Sequence, residues 1–176
     1  SPRTDESTAT PASPSGEPSR GLGALRYRSA MSDPTDTTLP VEFLGTMTAL
    51  LGGETPMVAG PSGTVITATV TSATFAGPKI TASAPEGVAA ADWPLVRADG
   101  TIVLDVRANM RTDDGADIFV TYNGIGVPRE GGGYDIRTAP LFQTGDERYA
   151  WLNNVQGVGL GGTIDGGVEY QIYAVK

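Results

Sequence analysis

A charged pair on one predicted strand carries the clearest chemical signal in this sequence. Residues 101–111 alternate, so Asp105, Arg107 and Asn109 project from one face of a strand and apolar side chains project from the other. If the polar face lines a cavity, Arg107 would hold a carboxylate, enolate or carbonyl oxygen, and Asp105 would fix the guanidinium or act as a base. The alternative is an exposed ion pair worth under about 1 kcal/mol. We predict that the polar face lies inside, that the pair is catalytic and that Asn109 contacts the substrate.

The dipeptide Asp92-Trp93 is a second candidate. A carboxylate against an indole ring is desolvated, which raises its pKa and suits it to general acid–base catalysis. We therefore predict that Asp92 is catalytic and that Trp93 contacts the substrate. The structural alternative is a Trp that closes one end of a barrel beside an Asp that caps a turn.

A third candidate group is largely aromatic. Tyr122, Tyr149 and Trp151 could form a wall against a planar ligand. Tyr149, Trp151 and Asn153 share one face if their segment is extended, so we count Asn153 among the predicted substrate contacts. Ordinary core packing is the alternative for these side chains.

Two further motifs resemble ligand sites but lack the right context. Asp113, Asp114 and Asp117 are suitable calcium ligands, but their spacing is not that of an EF-hand loop, and they lie between two alternating segments. Residues 157–162 match G-x-G-x-x-G, but a dinucleotide fingerprint needs a following helix, and residues 168–175 alternate like a strand. We predict a hairpin turn for the acidic residues and no bound metal. For the glycines we predict either a tight turn or closely approaching strands, and no cofactor.

The composition excludes whole classes of site. The 176 residues include no cysteine and no histidine, which rules out disulfides, zinc or haem sites built on those ligands, and Ser-His-Asp or Cys-His catalysis. The net charge of −8 makes a phosphate backbone a poor partner. Apolar stretches are far shorter than the ~20 residues that cross a bilayer. We expect a cytoplasmic protein that binds neither nucleic acid nor membranes.

An all-β fold must position these residues. From Pro40 onward, short alternating segments are separated by turn residues, and no segment keeps a helical period. Turns are predicted at Asp99-Gly100, Asp114-Gly115, Asn123-Gly124 and Asp165-Gly166. Closure removes exposed strand edges, so the sequence predicts a single antiparallel β-barrel over residues 40–176.

Residues 1–39 are predicted to form a disordered N-terminal extension. The first twenty are rich in Ser, Thr and Pro and contain no aromatic or large aliphatic side chain. Such a segment buries too little apolar area to offset the entropy lost on ordering.

The barrel region also resembles a known family. The matching motifs occur in order: Phe75-Ala76-Gly77-Pro78, Asp92-Trp93, Leu104-Asp105-Val106-Arg107, Thr112-Asp113-Asp114-Gly115, Tyr122-Asn123-Gly124, Thr138-Ala139-Pro140-Leu141-Phe142-Gln143-Thr144-Gly145 and Arg148-Tyr149-Ala150-Trp151-Leu152-Asn153. With these motifs the chain resembles the bacterial and fungal family known as domain of unknown function 3237, or uncharacterised protein family 0311. The resemblance implies an antiparallel, roughly lipocalin-like β-barrel and no generally established activity.

Three functions fit these observations. The favoured one is a cofactor-independent enzyme of secondary metabolism, a cyclase, isomerase or lyase, that acts on a small hydrophobic or aromatic metabolite inside the barrel. Such chemistry needs shape and a few polar groups, and no histidine, cysteine or metal. The alternatives are a non-catalytic metabolite-binding barrel and a structural or assembly protein without a pocket. Barrels of this size often pair, so we also predict a homodimer.

Overall fold

The computed structural model describes residues 38–176. The predicted N-terminal extension, residues 1–39, therefore lies outside the described residues except for its last two positions. Thr38, Leu39 and Pro40 lead without regular structure into the first strand.

Antiparallel strands make up most of the described chain. The strands are β1 Val41–Gly60, β2 Gly63–Ala76, β3 Thr81–Ser83, β4 Ala91–Asp92, β5 Leu95–Val96, β6 Ile102–Thr112, β7 Asp117–Pro128, β8 Tyr134–Gln143, β9 Gly157–Ile164 and β10 Gly167–Val175. A 3₁₀ helix, Glu147–Asn154, lies between β8 and β9. Among residues 38–176, no helix is long and apolar enough to cross a membrane.

The strands close into a ring. Strands β6 to β10 pair in chain order, and β1 pairs with both β10 and β2. The short strands β3, β4 and β5 occupy in turn the one position between β2 and β6. The result is a ring of eight strand positions with antiparallel pairing throughout, which confirms the predicted β-barrel.

Three of the four predicted turns connect strands, and one does not. Gly100, Gly115 and Gly166 lie in turns and have positive φ, which glycine adopts without steric cost. The turn predicted at Asn123-Gly124 is wrong, because both residues lie within β7. Gly124 is needed there for close packing, since a Cβ would lie 2.6 Å from the carbonyl oxygen of Arg137.

The glycines of residues 157–162 allow close approach between strands. They form the first part of β9 rather than a phosphate-binding loop. A Cβ on Gly161 would lie 1.9 Å from the carbonyl oxygen of Glu169 on β10, and one on Gly162 would lie 2.3 Å from that of Tyr134 on β8. Of the two predicted alternatives, the structure shows close approach between strands, at positions where glycine has no side chain.

The 3₁₀ helix fills one end of the barrel interior. The Asp146 side chain caps it by accepting a hydrogen bond from the Arg148 N–H at 3.0 Å. Leu152 is fully buried and packs with Phe75, Ile80 and Met110 of the core. The remaining void there is about 20 Å³, which has room for about one water molecule.

Candidate functional site

The half of the interior away from the 3₁₀ helix holds a cavity of about 290 Å³. Aliphatic side chains provide most of its wall, and six polar residues interrupt it. These polar residues are Glu54, Asp92, Tyr122, Tyr134, Thr163 and Tyr170. A largely apolar cavity with a few convergent polar groups is typical of a small-molecule site.

Strand register places Asp92 and Tyr122 on one row across the barrel wall. Asp92 on β4 is opposite Val106 on β6, and Val106 is opposite Tyr122 on β7. Residues directly opposite each other on neighbouring strands share a face of the sheet. Val106 is buried in the core, so the whole row faces inward.

The environment of the cavity perturbs the Asp92 carboxyl group. Burial raises its pKa from the ordinary 3.8 to about 6, and the charges of Asp105 and Glu54 add to the rise. The backbone N–H of Asp105 donates a hydrogen bond to Asp92 Oδ1 at 2.9 Å, which opposes the rise and fixes the carboxyl orientation. Near neutral pH, Asp92 can therefore both donate and accept a proton.

Two tyrosines, Tyr122 and Tyr170, line the cavity together with Asp92. The rings of Tyr122 and Tyr170 meet edge to face, with centroids 6.0 Å apart. Burial raises the pKa of both hydroxyls, and the charge of Asp92 contributes to both shifts. The buried Tyr170 hydroxyl interacts with the Tyr122 hydroxyl but makes no hydrogen bond of good geometry in the described part of the chain. Both tyrosines are therefore protonated donors at neutral pH.

The prediction for the polar face of residues 101–111 is wrong. Leu104, Val106, Ala108 and Met110 point into the barrel, so Asp105, Arg107 and Asn109 lie on its outer surface. The Asp105 and Arg107 side chains are about half exposed and form an ion pair at 3.4 Å. Burying four apolar side chains is worth several kcal/mol, whereas burying a charged pair costs free energy, and this difference decides the orientation.

Trp93 also lies outside. It follows Asp92 directly, so the alternation of an extended chain sends the two side chains to opposite faces. Trp93 is 40% exposed, and the Arg107 guanidinium stacks over its ring at 5.6 Å. The predicted substrate contact therefore belongs to an exterior cluster with Arg107 and is separated from the cavity by the barrel wall.

The predicted aromatic wall is divided between the two ends of the barrel. Tyr122 lines the cavity, but Tyr149, Trp151 and Asn153 belong to the 3₁₀ helix at the other end, because their segment is helical rather than extended. The Tyr149 hydroxyl donates to Asp114 Oδ1 at 3.0 Å, and Lys79 Nζ lies 5.5 Å from the Trp151 ring centroid. These contacts hold the helix in place.

Asn153 has a structural contact that the sequence did not indicate. Its Oδ1 accepts a hydrogen bond from the Thr144 N–H at 2.9 Å, and its Nδ2 donates to the Thr144 carbonyl oxygen at 3.0 Å. This pair of bonds ties the end of the helix to the segment that enters it.

The acidic segment near residue 114 forms a hairpin turn, as predicted. Asp117 pairs with Arg111 at 2.7 Å, and Asp114 pairs with Arg148 at 2.8 Å. Over residues 38–176, no group of three or more His, Cys, Asp or Glu side chains could hold a metal ion.

The sequence analysis missed three polar residues of the cavity: Glu54, Tyr134 and Tyr170. Tyr170 lies between Val168 and Ile172 on the inward face of β10, and this pattern is typical of core packing. Glu54 lies in an exposed part of β1, where register shifts interrupt the alternation. A tyrosine in the middle of an apolar strand face was the one signal available for Tyr170.

Comparison with known proteins places the chain in a family. The model of the family described as protein of unknown function (DUF3237) matches residues 39–175. The chain belongs to this family. The match covers all but the last residue of the predicted barrel region, and it confirms the resemblance seen in the sequence motifs.

Two curated relatives match part of the chain. A UPF0311 protein from Clostridium acetobutylicum is 37% identical over 76 residues, 36% of this chain and 48% of that protein. The hydroalkoxylation enzyme phnH from Penicillium herquei is 37% identical over 87 residues, 49% of this chain and 50% of that protein. The chain thus spans about half the length of the curated relatives it matches.

A solved structure shows the same fold. The crystal structure of a β-barrel-like protein from Acinetobacter baumannii superimposes with a TM-score of 0.73 and 22% identity. The match covers 82% of this chain and 100% of that one. The barrel is therefore an architecture already known from crystallography.

Proposed function

We propose that the protein is a cofactor-independent enzyme in which Asp92 transfers protons to and from a small, largely apolar metabolite held in the cavity. The single observation that carries this proposal is the half-buried Asp92 carboxyl group, which lies in a largely aliphatic cavity wall with a pKa of about 6. Structural carboxylates in exposed ion pairs, such as Asp117, instead have a lowered pKa. A pKa near the working pH is what general acid–base catalysis requires.

The proposed reaction class is an intramolecular cyclisation or isomerisation. A family relative is named a hydroalkoxylation enzyme, which denotes addition of O–H across a carbon–carbon multiple bond. In such a step, the Asp92 carboxylic acid donates its proton to one alkene carbon, and the substrate hydroxyl oxygen bonds to the other. The hydroxyl proton then returns to the Asp92 carboxylate, so the product has the mass of the substrate.

The two tyrosines would assist this chemistry. Their protonated hydroxyls can donate hydrogen bonds to a carbonyl or developing alkoxide oxygen, and such donors are most effective in a site that excludes water. Isomerisation by proton transfer uses the same groups. Lyase chemistry would need the same acid and base but would release a fragment.

The test is conversion of small apolar metabolites by wild-type protein and two matched variants. An extract from the source organism is incubated with catalytic amounts of protein and followed by liquid chromatography with mass detection. We expect a new compound of unchanged mass, an initial rate that falls as pH rises above about 6, and a loss of at least about 100-fold in Asp92→Asn. Asp113→Asn, in an exposed turn at the other end of the barrel, should retain the wild-type rate.

A non-catalytic binding role is the second candidate, favoured by the largely aliphatic lining of the cavity. In that case the protein would retain a compound at stoichiometric level and convert nothing. Asp92→Asn would then alter affinity without any rate to lose, and the catalytic proposal would be overturned.

A further inference from the structure

The cavity has a one-sided set of ionisable groups. Asp92 and Glu54 are its carboxylic acids, and Tyr122, Tyr134 and Tyr170 are its phenols. Among the described residues, no lysine or arginine lines it. Burial is the main cause of the raised Asp92 pKa, and the charge of the exposed Glu54 at the cavity wall adds a smaller contribution of the same sign.

The guanidinium beside this cavity is held outside it. Arg129 Nη2 donates to the carbonyl oxygen and the Oγ1 of Thr163, at 3.0 and 2.9 Å, and Arg129 Nη1 lies 3.8 Å from Asp135 Oδ1. Thr163 lines the cavity, and Arg129 contacts it together with the neighbouring outer surface. This cation is therefore engaged and does not offer a counter-charge to a ligand inside.

An anionic ligand would be poorly accommodated in these surroundings. Desolvation in an apolar wall disfavours a buried carboxylate, and a second like charge nearby adds to the cost. A neutral molecule loses little on entry and gains hydrogen bonds from the tyrosine hydroxyls. A dry cavity of ~150 Å³ can bind benzene, so about 290 Å³ has room for two fused rings.

We infer that this cavity selects neutral, largely apolar molecules of about two fused rings that carry a hydroxyl or carbonyl oxygen, and rejects their carboxylate analogues, with Asp92 and Glu54 as the specificity-determining residues. This inference rests on the proposed function only in treating the cavity as the ligand site. It names the class of substrate by charge, size and polar group.

The test compares two matched ligands, 2-naphthol and 2-naphthoate, titrated into the full chain by isothermal titration calorimetry at pH 8. The pKa of a phenol is about 10 and that of a carboxylic acid about 4, so 2-naphthol is neutral and 2-naphthoate is ionised at pH 8. We expect 2-naphthoate to bind at least about tenfold more weakly than 2-naphthol, which corresponds to about 1.4 kcal/mol.

Two variants and a pH change assign the discrimination to the named residues. Asp92→Asn and Glu54→Gln should each narrow the difference in affinity at pH 8. Glu169→Gln, on the exposed outer face of β10, should leave it unchanged. Lowering the pH from 8 to 5 protonates Asp92, so the difference should narrow in the wild type and not in Asp92→Asn.

The outcomes separate this inference from the proposed enzyme. Equal affinity for the two ligands would overturn the charge selection and leave the catalytic proposal standing. If the protein discriminates between the two ligands but converts no metabolite, the selection of neutral ligands is supported and the catalytic proposal is overturned. Binding of neither ligand would overturn the inferred ligand class, and the metabolite conversion assay would then decide the catalytic proposal by itself.

Discussion

The two halves of the barrel interior are lined by the same alternating strands but are filled differently. The inward face of β6 runs from Met110 at the packed end to Ile102 at the cavity end, without a break in its apolar character. At the packed end the 3₁₀ helix inserts Leu152, and a void of about 20 Å³ remains. At the other end no helix enters among the described residues, and about 290 Å³ stays open.

This comparison shows that strand alternation alone does not determine whether a barrel interior is packed or hollow. What fills the packed half is a segment outside the strands, held by the Asn153–Thr144 and Tyr149–Asp114 contacts. What keeps the other half open is the combination of small side chains such as Ala49 and Ala68 with large rings at the wall. The first half stabilises the fold, and the second half is available for a ligand.

The largest expected effect is the loss of stability on truncating Leu152 in the packed half. Leu152→Ala removes a fully buried side chain whose neighbours lie mostly in strands, so we expect a loss of about 2–5 kcal/mol in the free energy of unfolding. Urea denaturation followed by circular dichroism measures it. Leu160→Ala, on the exposed outer face of β9, is the matched control and should change stability by less than about 0.5 kcal/mol. Similar losses in both variants would mean that Leu152 does not fill the core as described.

The second largest expected effect concerns Asp92 in the cavity half, where the substitution increases the free energy of unfolding. The pKa of Asp92 is raised from 3.8 to about 6 in the folded protein, so the folded state favours the protonated form. The stability associated with this proton is fully present below about pH 4 and is lost as the pH rises through about 6. We therefore expect Asp92→Asn to stabilise the protein by about 2–3 kcal/mol at pH 8 and to have little effect at pH 4.

Urea denaturation of wild type and Asp92→Asn across this pH range measures the difference. Other carboxyl groups with lowered pKa, such as Asp117, act in the opposite direction, but they are common to both proteins and cancel. Asp113→Asn should show no such gain at pH 8. A destabilised Asp92→Asn at pH 8 would mean that the ionised carboxylate is well solvated or paired, which would contradict its role as a buried acid.

Much of the fold could be predicted from the sequence, because alternation and Asp-Gly turns are local signals. Closure into a ring followed from the need to cover strand edges. The site was harder to predict, because the face that points inward depends on pairing between distant segments. Only the register of Asp92 with the buried Val106 shows that Asp92 faces the interior. On β6, the charged pair suggested a catalytic site, but the apolar residues of the strand determine which face points inward.

Tyr170 shows the same difficulty in a single residue. Its neighbours on the inward face of β10 are apolar, and its hydroxyl differs from core packing only in lacking a hydrogen bond of good geometry. No local pattern reveals a missing partner. The segment of Tyr149 and Trp151 is a further case, since its helix depends on contacts with Asp114 and Thr144 that are distant in sequence or outside any periodic pattern.

The smallest expected effect on stability comes from Tyr170→Phe, which sharpens the contrast between the two halves. Removing a buried hydroxyl that makes no good hydrogen bond should change the free energy of unfolding by less than about 1 kcal/mol, unlike truncation of Leu152. Turnover should nevertheless fall by about tenfold, because the substrate oxygen loses a hydrogen-bond donor.

Tyr173→Phe, on the outer face of the same strand, is the control and should leave both the stability and the turnover unchanged. Denaturation and initial rates of the same preparations provide both measurements. A loss of more than about 2 kcal/mol in Tyr170→Phe would mean that the hydroxyl is a satisfied part of the core, and the cavity would then have one donor fewer for its ligand.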